Sequence, residues 1–191
     1  VWSFDFAEVE ALQAAGDWDG AGRLLGDAAR RLEDAGAEGL MLCTNTMHRV
    51  ADAITSATTV PLLHIADATA EAILRDGVDH VGLLGTAFTM EGDFYRGRLE
   101  SHGLRVTVPD ADARELVHRV IYDELVTGEV RDTSRDAYRR VVADLVASGV
   151  GGVIAGCTEI ELLLGPDDVA VPWYPTTRLH VQAAVEWILA G

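Results

Sequence analysis

Two stretches of this sequence say the same thing. The first is Gly36-Ala37-Glu38-Gly39-Leu40-Met41-Leu42-Cys43-Thr44-Asn45-Thr46, and the second is Gly149-Val150-Gly151-Gly152-Val153-Ile154-Ala155-Gly156-Cys157-Thr158-Glu159. Each follows a helical pattern, turns on glycine, runs through a short apolar strand and ends in Cys-Thr. Continuous apolar runs of this length suit strands of a parallel sheet buried on both faces. Cys43 and Cys157 are the only cysteines of the chain. Their matched placement suggests that the two thiols share one task.

Working outward, strand and helix patterns alternate along the chain. Leu24, Leu25, Ala28 and Leu32 recur at helical spacing before Gly36. Val60–Ile65, Val81–Thr86, Leu104–Val108 and Val169–Pro172 read as further strands. Helices are expected over 7–15, 46–57, 66–75, 90–102, 110–127, 134–148, 158–164 and 177–189. Trp2–Phe6 reads as the end of a strand, so the sequence is expected to begin mid-fold. The alternation predicts an α/β fold with parallel sheets and crossover helices. The repeated unit predicts two similar halves. The expected division is residues 1–65 plus 170–191 for a first domain, lacking its first strand, and 66–169 for a second. Sites in such folds lie beyond the carboxyl ends of the strands, where Cys43, Thr86 and Cys157 are placed.

The 191 residues, 49% of them hydrophobic, suffice for one large or two small cores. The net charge of −16 disfavours nucleic acid and anionic membrane surfaces as partners. No apolar run reaches the ~20 residues of a membrane span, and no signal peptide is visible, so a cytoplasmic protein is expected. Without a C-x-x-C there is no zinc signature, and no metal is expected.

A free cysteine taken alone is more often a small buried hydrophobe than a catalyst; the matched context of the pair outweighs that. A thiol at a helix start feels the positive end of the helix dipole, which lowers its pKa. Two such thiols facing each other across a cleft can remove a proton from one side of a carbon and return one from the other, inverting a stereocentre. Thr44, Asn45 and Thr46 beside Cys43, Thr158 beside Cys157, and Thr86 supply donors suited to a carboxylate, and Glu159 is counted with them among the substrate-binding residues. His48 and His64 are expected as a surface or supporting residue and a core residue, and His80, His102 and His118 as surface.

At these residues the sequence resembles a known family. Leu42-Cys43-Thr44-Asn45-Thr46-Met47-His48 and Gly156-Cys157-Thr158-Glu159-Ile160 are similar to the paired signatures of the aspartate/glutamate racemase superfamily, most of all its broad-specificity amino-acid racemase branch. His64–Thr69, Leu84-Gly85-Thr86 and Thr89–Arg98 match in the same order. The resemblance implies two α/β domains related by a pseudo-two-fold axis, with the active site in the cleft between them. It implies racemisation of an amino acid by Cys43 and Cys157 as acid–base pair, without pyridoxal phosphate or metal. Asn45, Thr46 and Thr158 would hold the α-carboxylate, Thr86 would line the site, and the protein would be a homodimer. The sequence departs from the family in two places: no Gly-Gly-Met-Ser-type loop precedes Val1, and Pro175 stands where the family usually has aspartate. The alternatives are a related isomerase (hydantoin racemase or maleate isomerase), an arylmalonate decarboxylase, or an inactive ligand-binding fragment.

Overall fold

The computed structural model describes residues Val1–Ala190, and the chain forms two compact units. Unit 1 holds Val1–Leu42 and Met47–His64; unit 2 holds Cys43–Thr46 and the chain from Ile65 onward.

Unit 1 begins with α1 (Phe6–Ala15), not with a strand. The reason is local: the Asp5 carboxylate accepts the Ala7 backbone N–H at 3.0 Å and caps the helix. Gly16, at φ +67°, ends it. Asp17 caps α2 (Trp18–Asp34) by accepting from Gly20 N at 2.8 Å. The buried residues of α2 are Ala21, Gly22, Leu25, Gly26, Ala28 and Ala29; of the four positions that the apolar spacing picks out, Leu25 and Ala28 are among them and Leu24 and Leu32 are half-buried. A 3-10 turn over Thr46–Val50 leads into α3 (Ala51–Ala57), so the helix expected over 46–57 is split. Helices α2 and α3 pack through Gly22 and Gly26; a Cβ at Gly26 would lie 3.2 Å from Ala53 O. Strands β1 (Leu40–Met41) and β2 (Leu62–Leu63) pair in parallel.

Unit 2 is built on a four-stranded parallel sheet: β3 (His80–Gly85), β4 (Arg105–Thr107), β5 (Gly152–Gly156) and β6 (Trp173–Pro175), in the order β4-β3-β5-β6. Val81, Leu83 and Ile154 face one core with Ile73 of α4 (Ile65–Arg75) and Leu99 of α6 (Asp93–Ser101). Leu84, Val153 and Ala155 face the other, with Val120 of α7 (Ala111–Asp123) and Val142 of α8 (Asp132–Ala147). Both faces are covered, as continuous apolar strands require. From β3 the chain first moves outward to β4 and then returns to the other side of β3 as β5. The gap between β3 and β5 is therefore the topological switch point of the sheet, where ligands bind in open α/β folds.

Several expectations are corrected here. The last strand is Trp173–Pro175, not Val169–Pro172. Pro172 has no N–H to give the ladder and contributes only its carbonyl, which accepts from Val153 N at 2.9 Å. The segment 170–191 is expected to return to the first unit; its described residues, 170–190, do not: β6 pairs with β5, and α10 (Thr176–Leu189) packs on α4, while Gly191 lies outside the described residues. The helix expected over 90–102 is two, α5 (Ala87–Glu91) and α6, broken at Gly92, where a Cβ would sit 2.6 Å from Phe88 O. The helix expected over 110–127 ends at Asp123 and finishes as a 3-10 turn over Leu125–Thr127. The helix expected over 158–164 is a single turn, α9 (Ile160–Leu163).

Candidate active site

The sheet register sets the site. Gly85 of β3 pairs with Gly156 of β5, so the residues that follow them, Thr86 and Cys157, leave neighbouring strands side by side. Ala155 pairs with Pro175, which brings Thr176, the next residue, to the same edge on the β6 side. Adjacent strands are about 4.8 Å apart, so Thr86, Cys157 and Thr176 form a row across the carboxyl ends of β3, β5 and β6.

The segment Cys43–Thr46 seats on this row. Thr46 Oγ1 lies 3.0 Å from Thr86 Oγ1 and 3.3 Å from Thr89 Oγ1, and Thr86 Oγ1 lies 3.2 Å from Thr89 Oγ1. Asn45 Nδ2 donates to Thr176 Oγ1 at 3.0 Å, and that hydroxyl donates in turn to Ala155 O at 2.8 Å. Thr46 is thus held at the β3 end and Asn45 at the β6 end, with the β5 terminus and Cys157 between them. Asn45, Thr46, Thr86, Thr89 and Thr176 are all buried. Because Thr176 spends its proton on Ala155 O, its oxygen must accept from Asn45, which fixes the orientation of the amide. Asn45 Oδ1 is buried and accepts no hydrogen bond from the described residues.

The two cysteines differ. Cys43 is exposed and Cys157 is buried. Cys157 Sγ donates to Glu159 Oε2 at 3.0 Å, and Thr158 Oγ1 donates to the same oxygen at 2.6 Å. Burial above all, and then the Glu159 carboxylate beside it, pushes the Cys157 thiol well above the ordinary thiol range. This reverses the expected lowering by a helix dipole: α9 has only four residues and begins three positions beyond Cys157. Glu159, expected among the substrate-binding groups, accepts through Oε2 from both Cys157 and Thr158. Glu161 Oε1 accepts from Thr177 N at 3.2 Å.

Two site residues carry no role in the sequence reading. Thr89 stands three positions after Thr86 and receives its cap, the Thr89 N–H reaching Thr86 Oγ1 at 3.3 Å; the Thr-x-x-Thr spacing is the signal that marks it. Thr176 comes from 131 residues beyond its partner Asn45, and no local pattern announces it. Among the histidines, His48 is buried with its ring 4.3 Å from that of His64, not on the surface. His80 links β3 to the segments beside it, through Gly149 O at 3.1 Å and Thr107 Oγ1 at 2.8 Å. His118, also expected at the surface, is partly buried against Phe88 and Tyr122 and accepts the Ala87 N–H at 3.2 Å. Its burial holds its pKa below the ordinary imidazole value.

Among the described residues no three His, Cys, Asp or Glu side chains converge as metal ligands, and no helix is long and apolar enough to cross a membrane.

Known proteins share this arrangement of elements. The sequence matches the family described as Asp/Glu/hydantoin racemase over residues 3–184. The structure is similar to that of a candidate Asp/Glu racemase from Yersinia pestis, with 56% identity and a TM-score of 0.92, covering 98% of this chain and 82% of that one. It is similar also to an aspartate racemase homologue from Pyrococcus horikoshii OT3, with 37% identity and a TM-score of 0.84, covering 97% and 81%. A glutamate racemase from Hydrogenobaculum sp. is 25% identical over 125 residues, a match that spans 65% of this chain and only 46% of that protein. With residues 3–184 inside the family match, the chain belongs to the Asp/Glu/hydantoin racemase family.

Proposed function

We propose that the chain is a cofactor-independent amino-acid racemase, acting on aspartate, glutamate or a wider range of amino acids by a two-base proton transfer at Cα. The observation that carries this reading is the seating of the Cys43 segment on the strand edge that presents Cys157, with Asn45 and Thr46 bonded on either side of the β5 terminus. One cysteine, as thiolate, takes the Cα proton; the other, as thiol, delivers a proton to the opposite face. Thr44, Asn45, Thr46, Thr86 and Thr158 supply hydroxyl, amide and backbone N–H groups for the α-carboxylate, which stabilise the charge that builds on it as the proton leaves. The composition favours the same mechanism: the 15 basic residues are all arginine. Pyridoxal phosphate enzymes hold their cofactor as a Schiff base to lysine, and this chain has no lysine to offer.

Incubating single enantiomers of aspartate, glutamate and neutral amino acids in D2O without added cofactor tests the reading. α-Deuteration together with loss of optical activity is expected; neither, for any of them, would sink it. Cys43→Ala and Cys157→Ala should each abolish racemisation, and wild-type turnover in either variant rejects the two-base mechanism. The reading includes a homodimer at work in the cytoplasm; a monomer mass by light scattering would refute the dimer. Turnover of hydantoins or maleate in place of amino acids would favour the related isomerases.

A further inference from the structure

We propose that Glu159 is the proton relay of Cys157: the Sγ proton passes to Oε2 along the hydrogen bond between them and returns by the same path. This rests on the racemase reading and deepens it. In a two-base racemase each sulfur must serve as thiolate in one direction and as thiol in the other. Cys43 is exposed, so water can reset its proton. Cys157 is only 7% exposed, packed among Leu84, Tyr138, Ile160 and Leu163. A thiol so placed needs a proton acceptor within the protein.

The structure supplies one. Glu159 Oε2 stands 3.0 Å from Cys157 Sγ and is held there by the Thr158 hydroxyl at 2.6 Å. Glu159 is itself partly exposed, so it touches both the buried sulfur and the solvent side. The other titratable groups around Cys157 are ill-suited. Tyr138 of α8 is buried and donates its proton to Val117 O at 2.8 Å. Glu124 acts on Tyr138 and accepts from Ser134 at 2.6 Å. Arg135 of α8 reaches the end of α9 at Leu163 O. Toward β3 the edge offers the hydroxyls of Thr86 and Thr89, and beyond them His118, whose Nδ1 is taken by the Ala87 N–H at 3.2 Å.

The protons balance as follows. Sγ–H gives its proton to Oε2, leaving a thiolate and a carboxylic acid. The thiolate takes the Cα proton and becomes a thiol again, while the Cys43 thiol protonates the opposite face and becomes a thiolate. Glu159 then releases its proton to water and Cys43 regains one from water. In the other direction Glu159 first takes a proton from water and Cys43 loses one to it; Cys157 then gives its proton to the carbanion, and the Glu159 acid re-protonates the sulfur. A thiolate beside an ionised carboxylate is avoided, because the pair always keeps at least one proton between its two atoms.

The test uses Glu159→Gln, which keeps the side-chain shape and its hydrogen bonding but cannot carry the proton. In the Cys43→Ala background Cys157 is the sole thiol, and its thiolate is followed by ultraviolet absorbance against pH. Removing the neighbouring negative charge should lower the Cys157 midpoint by about one pH unit or more. In the chain with both cysteines, Glu159→Gln should lower kcat about 100-fold, the low end for losing an acid–base group, move one limb of the pH–rate profile and leave KM within about threefold. Glu159→Asp should recover part of the rate. An unmoved midpoint, or a Glu159→Gln rate within about threefold of the parent, overturns the relay. A parent chain without racemase activity overturns the function while the titration still decides whether Glu159 and Cys157 share a proton.

Discussion

Replacing Gly156 by alanine should damage the protein out of proportion to the one methyl group added. Gly156 is the last residue of β5, paired with Gly85 and directly before Cys157. A Cβ there would lie 2.6 Å from Leu84 O and 2.8 Å from Leu83 Cδ1. The leucine tip can turn away, but the carbonyl belongs to β3 and to the ladder that joins β3 to β5. The strands must therefore part where Thr86 and Cys157 emerge. Overpacking a dense interior costs about 1–3 kcal/mol, and a clash with fixed backbone belongs at the upper end. For a chain of this size each kcal/mol moves the melting temperature by about 2–4 °C, so a fall of about 6–12 °C is expected. Thermal unfolding by circular dichroism reads it, and racemase activity measured well below the transition should fall as well, because the row of site residues is displaced even in folded molecules. Gly97→Ala is the matched control. Gly97 lies in α6, and a Cβ there meets nothing within 4 Å. It should raise stability by about 0.5–1 kcal/mol through helix propensity. If Gly156→Ala melted within about 2 °C of the parent, the strand ends would not be held by glycine contact, and the account of the site geometry would fail.

Thr46→Val keeps the shape of the side chain but removes its hydroxyl from Thr86 and Thr89, which retain each other. A cost of about 1 kcal/mol is expected, with a larger rise in KM than fall in kcat; unchanged melting and unchanged KM would show that the hydroxyl does nothing at the site. His118 should make stability depend on pH. Its pKa is lowered in the folded protein from the ordinary 6.5, chiefly by burial. Below that value the unfolded chain binds more protons than the folded one, so stability falls as pH drops through the unfolded and toward the folded pKa. His118→Asn, which can still accept from Ala87 N, should flatten that slope in urea titrations between about pH 5 and 7; an identical slope would assign it to other groups.

Much of this was legible in the residues because it depends on short-range pattern. The apolar runs before Cys43 and Cys157 mark strands, the Cys-Thr repeat marks their ends, and Thr86 closes a third strand in the same way. What stayed hidden depends on pairing across long separations. Val169–Val171 and Trp173–Pro175 are both fit for a strand, and only the partner β5 and the missing N–H of Pro172 choose between them. The destination of residues 170–190 follows from that same pairing. The state of the Cys157 thiol is not legible in sequence: its position before a helix is visible there, whereas burial and the fold of Glu159 back onto sulfur are not. The break at Gly92 is hidden in the same way: a helix pattern continues through it, and the approach of Phe88 O is a matter of three dimensions.

The three hydroxyls of Thr46, Thr86 and Thr89 lie 3.0–3.3 Å from one another and form a closed ring. Such a ring has two senses of circulation: each oxygen can donate clockwise and accept from behind, or the reverse. Both senses contain the same number of bonds, and passing between them turns hydroxyl protons without moving a heavy atom. Under the proposed racemisation, the site serves both members of a mirror-image pair and meets two opposite demands on its donors in each catalytic cycle. At this end of the sheet the protein holds a polar element that is itself degenerate under that exchange.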